Sequence, residues 1–192
     1  MEIFWLIAGW IVYFFVHSLL ATRQIKGFAR SHGVSSQMYR LIYNVIAFIS
    51  LIPIFFISGN IQAGFVLEPN KILKFSGLIL AGYGIVLVKM AFKSYDTRAF
   101  LGLAPFREEE FKTDGLLKHV RHPVYSASIL ILMGYFLFDP KWNVLISVTM
   151  LILYFVIGSQ FEERKLIDEF GDKYVEYKKR TPMLVPRLWK RS

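Results

Sequence analysis

The sequence predicts an all-α fold: a polytopic membrane protein of five transmembrane helices followed by a C-terminal amphipathic helix region, in one domain over residues 1–192. Three observations carry this expectation. The 192 residues are 55% hydrophobic and 17% aromatic, more apolar than a soluble chain of this length. The apolar residues gather into runs with few or no charges, of about the length a helix rising 1.5 Å per residue needs to cross hydrocarbon. Basic residues, finally, are shared unevenly among the connections, as the positive-inside rule requires. That rule and the attraction of anionic lipids account for the formal charge of +9, so nucleic acid is not an expected partner, whereas membrane lipids are. Cysteine is absent, which excludes a disulfide framework, thiolate chemistry from the protein and a Cys-ligated metal.

The first span is Ile3 to Ala21, with Glu2 before it and Arg23, Lys26 and Arg30 after it. A secretory signal carries its positive charge in front, so this reads as a retained helix with its N-terminus outside. His17, late in the span, reads as a hydrogen bond to a packed neighbour. The second span, about Leu41 to Ile57, contains Pro53, which kinks such a helix without ending it when a neighbour satisfies the freed carbonyl. Ser58 to Asn70 is nearly neutral and belongs outside. The third span, about Ile72 to Phe92, holds Gly77, Gly82 and Gly84, small residues that permit close helix approach, with Lys74 and Lys89 near enough to its ends to snorkel. Arg23 to Arg40 carries four basic residues and no acid, and the tail from Arg164 carries nine basic residues. An N-terminus outside and a cytoplasmic C-terminus satisfy that distribution.

Between the third and fourth spans lies Lys93 to Arg121. Glu108, Glu109 and Glu110 form a like-charge run, which prefers water. Asp96 and Arg98 stand in an aromatic and charged stretch, Tyr95 to Gly102, at the same membrane face. The fourth span, Val124 to Phe138, opens on Arg121-His122-Pro123. Proline at the first helical position loses no hydrogen bond, so Pro123 marks a helix start and His122 its cap. Asp139-Pro140-Lys141 turns the chain into the fifth span, Trp142 to Gly158. In an antiparallel hairpin, residues equidistant from the turn share a level; His122 and Glu162 average to position 142. An imidazole, the Tyr125 phenol and the carboxylates of Glu162 and Glu163 are therefore expected together at the cytoplasmic face. Spacing alone serves equally for a helix cap with an ordinary helix exit and for a site. From Phe161 to Arg180, Leu166, Ile167, Phe170, Tyr174 and Tyr177 recur at roughly helical spacing among charges, with Gly171 as a break or cap. The helical metalloprotease pattern His-Glu-x-x-His is missing, and neither a glycine-rich nucleotide fingerprint nor a P-loop is present, so no metal site is expected.

Thr113-Asp114-Gly115-Leu116 through Arg121-His122-Pro123-Val124-Tyr125, then Glu162 to Leu166, Phe170 to Tyr174, Tyr177 and the Pro182 to Pro186 ending resemble the isoprenylcysteine carboxyl methyltransferase and phospholipid methyltransferase superfamily. The resemblance covers about Lys112 to Trp189. His17 to Ala21 and Tyr39 to Asn44 are similar to a bacterial branch that includes methanethiol S-methyltransferases and NnrU-like membrane proteins.

This resemblance implies an integral-membrane methyltransferase dependent on S-adenosylmethionine, in the bacterial inner membrane, with its site at the cytoplasmic face. It implies a cofactor site of Gly115, Arg121, His122, Pro123, Tyr125, Glu162 and Glu163. His122, Asp96 and Glu162 are the implied catalytic groups, acting on a small or lipophilic methyl acceptor, foremost a thiol. The sequence departs from the family pattern at Leu117, Ala127 and Gln160. Gln160 stands where prenylcysteine enzymes carry a basic residue, and a carboxylate acceptor wants a cation nearby. Other readings are a prenylcysteine carboxyl or phospholipid methyltransferase, an NADPH-dependent membrane reductase using Lys178, Lys179 and Arg180 for the 2′-phosphate, and a non-catalytic NnrU-like membrane protein.

Overall fold

A computed structural model of the chain describes residues 1–93, 97–105 and 111–187. Asp96, Tyr95 and the Glu108 to Glu110 run lie outside the described residues. Eight α-helices and a short 3-10 helix are present among them: α1 (Glu2–Leu20), α2 (Arg23–Ser31), α3 (Ser36–Asn60), α4 (Lys71–Phe92), α5 (Thr97–Phe100), the 3-10 turn Gly115–Lys118, α6 (Pro123–Phe138), α7 (Trp142–Phe170) and α8 (Asp172–Arg180). No strand forms there; a single antiparallel bridge joins Phe65 and Lys141. The all-helical expectation holds for these residues.

Four helices, α1, α3, α4 and α7, are long and apolar enough to cross a membrane. The stretch expected as a fourth span forms the apolar helix α6, but with 16 residues it falls below the usual crossing length. Its limits are set by Pro123 at one end and the Asp139-Pro140 turn at the other, where the last helical bond is donated by Asp139 N to Tyr135 O. The charged stretch after the first span is not all loop. Thr22 accepts from Ile25 N through its side-chain oxygen, satisfying an orphan donor, and α2 follows.

The chain packs as two compact units. In the first (1–66, 95–108 and 141–147), α1 lies on α3 around the buried Leu6, Trp10 and Ile54. Trp10 Nε1 donates to Ser147 Oγ (3.0 Å), Ser147 Oγ donates to Asn143 O (2.9 Å), and Asn143 Nδ2 donates to Ser58 O (2.9 Å). His17 receives the packing bond expected for it, with Nε2 2.6 Å from Tyr43 Oη. The α5 turn is seated on α3: Arg40 Nη1 donates to Ala99 O (2.6 Å), and a Cβ on Gly102 would come within 2.6 Å of Leu41 N.

In the second unit (67–94, 109–140 and 148–192), α4 and α6 pack backbone to backbone. A Cβ on Gly77 would meet Gly134 O at 2.5 Å, and one on Gly84 would meet Ala127 O at 2.8 Å. Small residues at the crossing let dispersion act between the main chains where lipid supplies no hydrophobic drive. Gly82, read as part of the same contact, instead faces open space. Helix α7 runs on past its apolar stretch as a charged helix to Phe170. Gly171, at φ +56°, turns the chain into α8 in a conformation that favours glycine. Phe111 stands 5.1 Å from Phe170 and 5.6 Å from Tyr177, ring to ring, and Tyr177 Oη donates to Leu117 O (2.7 Å). These contacts tie the segment before α6 to α8.

Candidate active site

His122 caps α6 with Pro123 at its first position, as the dipeptide predicts. Its backbone is fixed from the other side. Arg121 N donates to Pro182 O (2.9 Å) and His122 N to Met183 O (3.1 Å), while Ser126 Oγ donates to Leu184 O (2.6 Å). The segment after α8 thus straps the start of α6. The Met183 sulfur lies 3.4 Å from Oγ of the fully buried Ser159, which donates to Val156 O at 2.8 Å.

The two glutamates, one helical step apart beyond Gly158 where the apolar part of α7 ends, have opposite surroundings. Glu163 is 3% exposed and saturated. Its Oε1 is 2.6 Å from Arg121 Nη2 and accepts from Arg121 Nε (2.7 Å) and His122 Nε2 (3.2 Å); its Oε2 is 2.7 Å from Lys178 Nζ. Arg121 is held further by the carbonyls of Lys178 (3.2 Å) and Thr181. Burial pushes the Glu163 carboxyl up, but the hydrogen bonds from Lys178 and Arg121, the Arg121 charge and the His122 bond together hold it below the ordinary carboxylate range. Glu162, by contrast, is 47% exposed. It accepts from Tyr125 Oη (3.0 Å) and lies 3.8 Å from His122 Nδ1. Tyr125 is stacked between the His122 ring (5.6 Å) and Phe155 (5.4 Å).

The hairpin arithmetic therefore brings together Arg121, His122, Pro123, Tyr125, Glu162 and Glu163. Gly115 takes a different place: at φ +58° it opens the 3-10 turn that leads toward Arg121. Asp96 is outside the described residues. Sequence reasoning missed Phe155, Met183 and the role of Lys178. The Tyr174, Tyr177, Lys178 spacing put all three on one face of α8, and that signal was available. Lys178 pairs with Glu163, and Lys179 and Arg180 pair with the exposed Glu176 at 2.6 and 3.7 Å, so each cation of the triplet weighed for a 2′-phosphate has a carboxylate partner in the chain.

Tyr174 is buried, and no hydrogen-bond partner for its hydroxyl is present among the described residues. Burial, with Glu163 adding to it, pushes this phenol well above its ordinary range, so it stays protonated.

The donor set fits an adenosyl sulfonium cofactor. Glu162 offers a half-exposed carboxylate to a cation or to ribose hydroxyls, beside the flat faces of Tyr125 and Phe155, while the Glu163 carboxylate is already engaged by Arg121 and Lys178.

A family model described as phospholipid methyltransferase matches residues 72–173, more than half the chain and all of the cluster up to Glu163. Among curated proteins, the chain is 42% identical to methanethiol S-methyltransferase 1 of Bradyrhizobium diazoefficiens over 82 residues, covering 43% of this chain and 27% of that protein. It is 27% identical to methanethiol S-methyltransferase of Crocosphaera subtropica over 187 residues, covering 92% of this chain and 71% of that protein. Over 120 residues it is 32% identical to methanethiol S-methyltransferase of Pseudomonas deceptionensis, covering 58% and 44%. Four membrane-length helices and this match mark an integral membrane protein, and the chain belongs to the phospholipid methyltransferase family.

Proposed function

We propose that the protein is an S-adenosylmethionine-dependent membrane methyltransferase whose acceptor is a small thiol. The observation that carries this reading is the division of labour between the glutamates: a saturated Glu163 that builds the site and a half-exposed Glu162 that faces outward from it beside Tyr125 and His122. Family membership supports methyl transfer, and the names of the relatives support a thiol acceptor.

When bound, S-adenosylmethionine supplies an electrophilic methyl on a sulfonium for in-line displacement by the acceptor. Glu162 sets a negative charge against that cation, and Tyr125, by donating to Glu162, fixes the carboxylate's orientation. Arg121, Lys178 and Glu163 hold the histidine. Because Glu163 Oε1 only accepts, His122 Nε2 carries the ring proton and Nδ1 presents a lone pair. Nδ1 is the atom that takes the proton of a neutral thiol as the new carbon–sulfur bond forms. The remaining contribution is alignment of the acceptor with the methyl group.

The arrangement in the membrane is part of the proposal. α6 serves as a fifth crossing, close-packed on α4, its shortness met by local thinning of the bilayer or by flanking residues. The charge distribution supports an N-terminus outside and a cytoplasmic C-terminus in a bacterial inner membrane. A lipid acceptor is the second reading, favoured by the description of the matched family. Calorimetric titration of the purified protein with S-adenosylmethionine and with NADPH tests the cofactor: binding of the first, weakened in Glu162→Gln, supports the proposal, and binding of NADPH alone refutes it.

A further inference from the structure

Along one face of α8, at the i, i+3 and i+4 positions of a helix, stand Tyr174, Tyr177 and Lys178. Two of these side chains end on the protein: Tyr177 Oη donates to Leu117 O (2.7 Å), and Lys178 Nζ stands 2.7 Å from Glu163 Oε2. The third does not. Tyr174 is 2% exposed, and its hydroxyl has no hydrogen-bond partner among the described residues. An unsatisfied hydroxyl at this depth costs stability, so it calls for a partner that these residues do not supply.

Its surroundings narrow what that partner is. The ring packs edge-on against Phe111 and Tyr177, with centroids 6.0 and 5.8 Å away, so the phenol cannot turn aside without opening an aromatic cluster. Its charged neighbours are those of the methyl-transfer site. Burial, Glu163 and Glu162 together outweigh Arg121 and keep the phenol protonated, a donor. Glu163 and Arg121 are themselves spent on each other, on His122 and Lys178, and on the carbonyls of Lys178 and Thr181. What remains is a fixed donor in the field of Glu162, the half-exposed carboxylate. Its cover is able to move: a helical side chain reaches back over the turn before it, which for Lys178 is the turn of Tyr174, and the Lys178 side chain is 45% exposed.

We propose that the Tyr174 hydroxyl donates a hydrogen bond to the bound adenosyl cofactor, reached when Lys178 swings out to water. This contact presupposes the S-adenosylmethionine-dependent reading of the site and sets α8 against the cofactor.

Tyr174→Phe in the full chain is titrated calorimetrically with S-adenosylmethionine and with S-adenosylhomocysteine, and its Tm is measured with and without the latter. Loss of the hydroxyl should weaken both ligands about 3–10-fold, the worth of a neutral hydrogen bond, while raising Tm in the absence of ligand. The rise in Tm produced by a fixed concentration of S-adenosylhomocysteine should shrink accordingly. A structural role would instead lower stability. Two results overturn the contact: parental affinity for both ligands in Tyr174→Phe, or a Tm below that of the parent without ligand, as an internal water satisfying the hydroxyl would give. A parent that binds neither ligand refutes the methyltransferase reading together with the contact, whereas a parent that binds both and a variant that binds them equally well refutes the contact alone.

Discussion

Glu162→Gln and Glu163→Gln, neighbouring isosteric substitutions, should fail in different ways. At position 163 the change removes the charge that balances Arg121, whose side chain is 8% exposed. Breaking a buried pair from one side costs about 3–5 kcal/mol, because the other charge stays buried. Arg121 keeps the carbonyls of Lys178 and Thr181, and Lys178 is exposed enough to turn to water, so the low end, about 3 kcal/mol, applies. For a chain of this size each kcal/mol moves Tm by about 2–4 °C, giving a fall of about 6–12 °C. At position 162 one hydrogen bond from Tyr125 is weakened at an exposed carboxylate, a cost of under about 1 kcal/mol. Binding should respond in the opposite order. Loss of the Glu162 charge weakens S-adenosylmethionine, which carries the sulfonium, by about 10–100-fold, the worth of a hydrogen bond to a charged group. Thermal unfolding in detergent and calorimetric titration measure the two quantities. Equal destabilisation by both variants, or parental binding by Glu162→Gln, would refute the division of labour.

Three further outcomes follow from the same geometry. The Glu163 carboxyl titrates below its ordinary value of 4.5, so the unfolded chain takes up that proton more readily. The stability it contributes is complete above that pH and lost as pH falls toward the depressed folded value; the acid limb of Tm against pH should be shallower in Glu163→Gln than in the parent. Gly134→Ala, whose Cβ would stand 2.5 Å from Gly77 O, should cost about 1–3 kcal/mol by forcing α4 from α6, whereas Gly82→Ala, pointing to open space, should leave Tm unchanged or higher; equal effects would contradict the helix contact. Tyr174→Phe removes a buried hydroxyl that has no partner among the described residues and should raise thermal stability; a fall in Tm would mean that the hydroxyl is satisfied in the folded protein.

Much of the site was legible because a hairpin is a length-conserving object. A proline-defined start, an Asp-Pro turn and two apolar runs are enough to bring His122 level with Glu162, and the contacts of Glu162 and Glu163 with His122 follow. Gly171 was legible as a break because a left-handed φ there favours glycine. The unequal duties of the two glutamates were not, since they depend on Lys178 and on the strap through Pro182 and Met183, which reach back from far along the chain. α2 was hidden for a different reason: nine residues are too few for a helix to be expected from local preference alone, and Thr22 was the one capping cue. A count of apolar residues also does not separate α6, whose close approach to α4 depends on which glycines face each other.

Methyl transfer at the His122 and Glu162 cluster is measured as transfer of label from S-adenosylmethionine. Purified protein in vesicles is offered methanethiol, a farnesylcysteine analogue and phosphatidylethanolamine in parallel, with His122→Ala and Glu162→Gln as controls. The account predicts labelled dimethyl sulfide from the parent and its loss in both variants. Labelling confined to either lipophilic acceptor would contradict the thiol assignment, and parental activity in both variants would contradict the site.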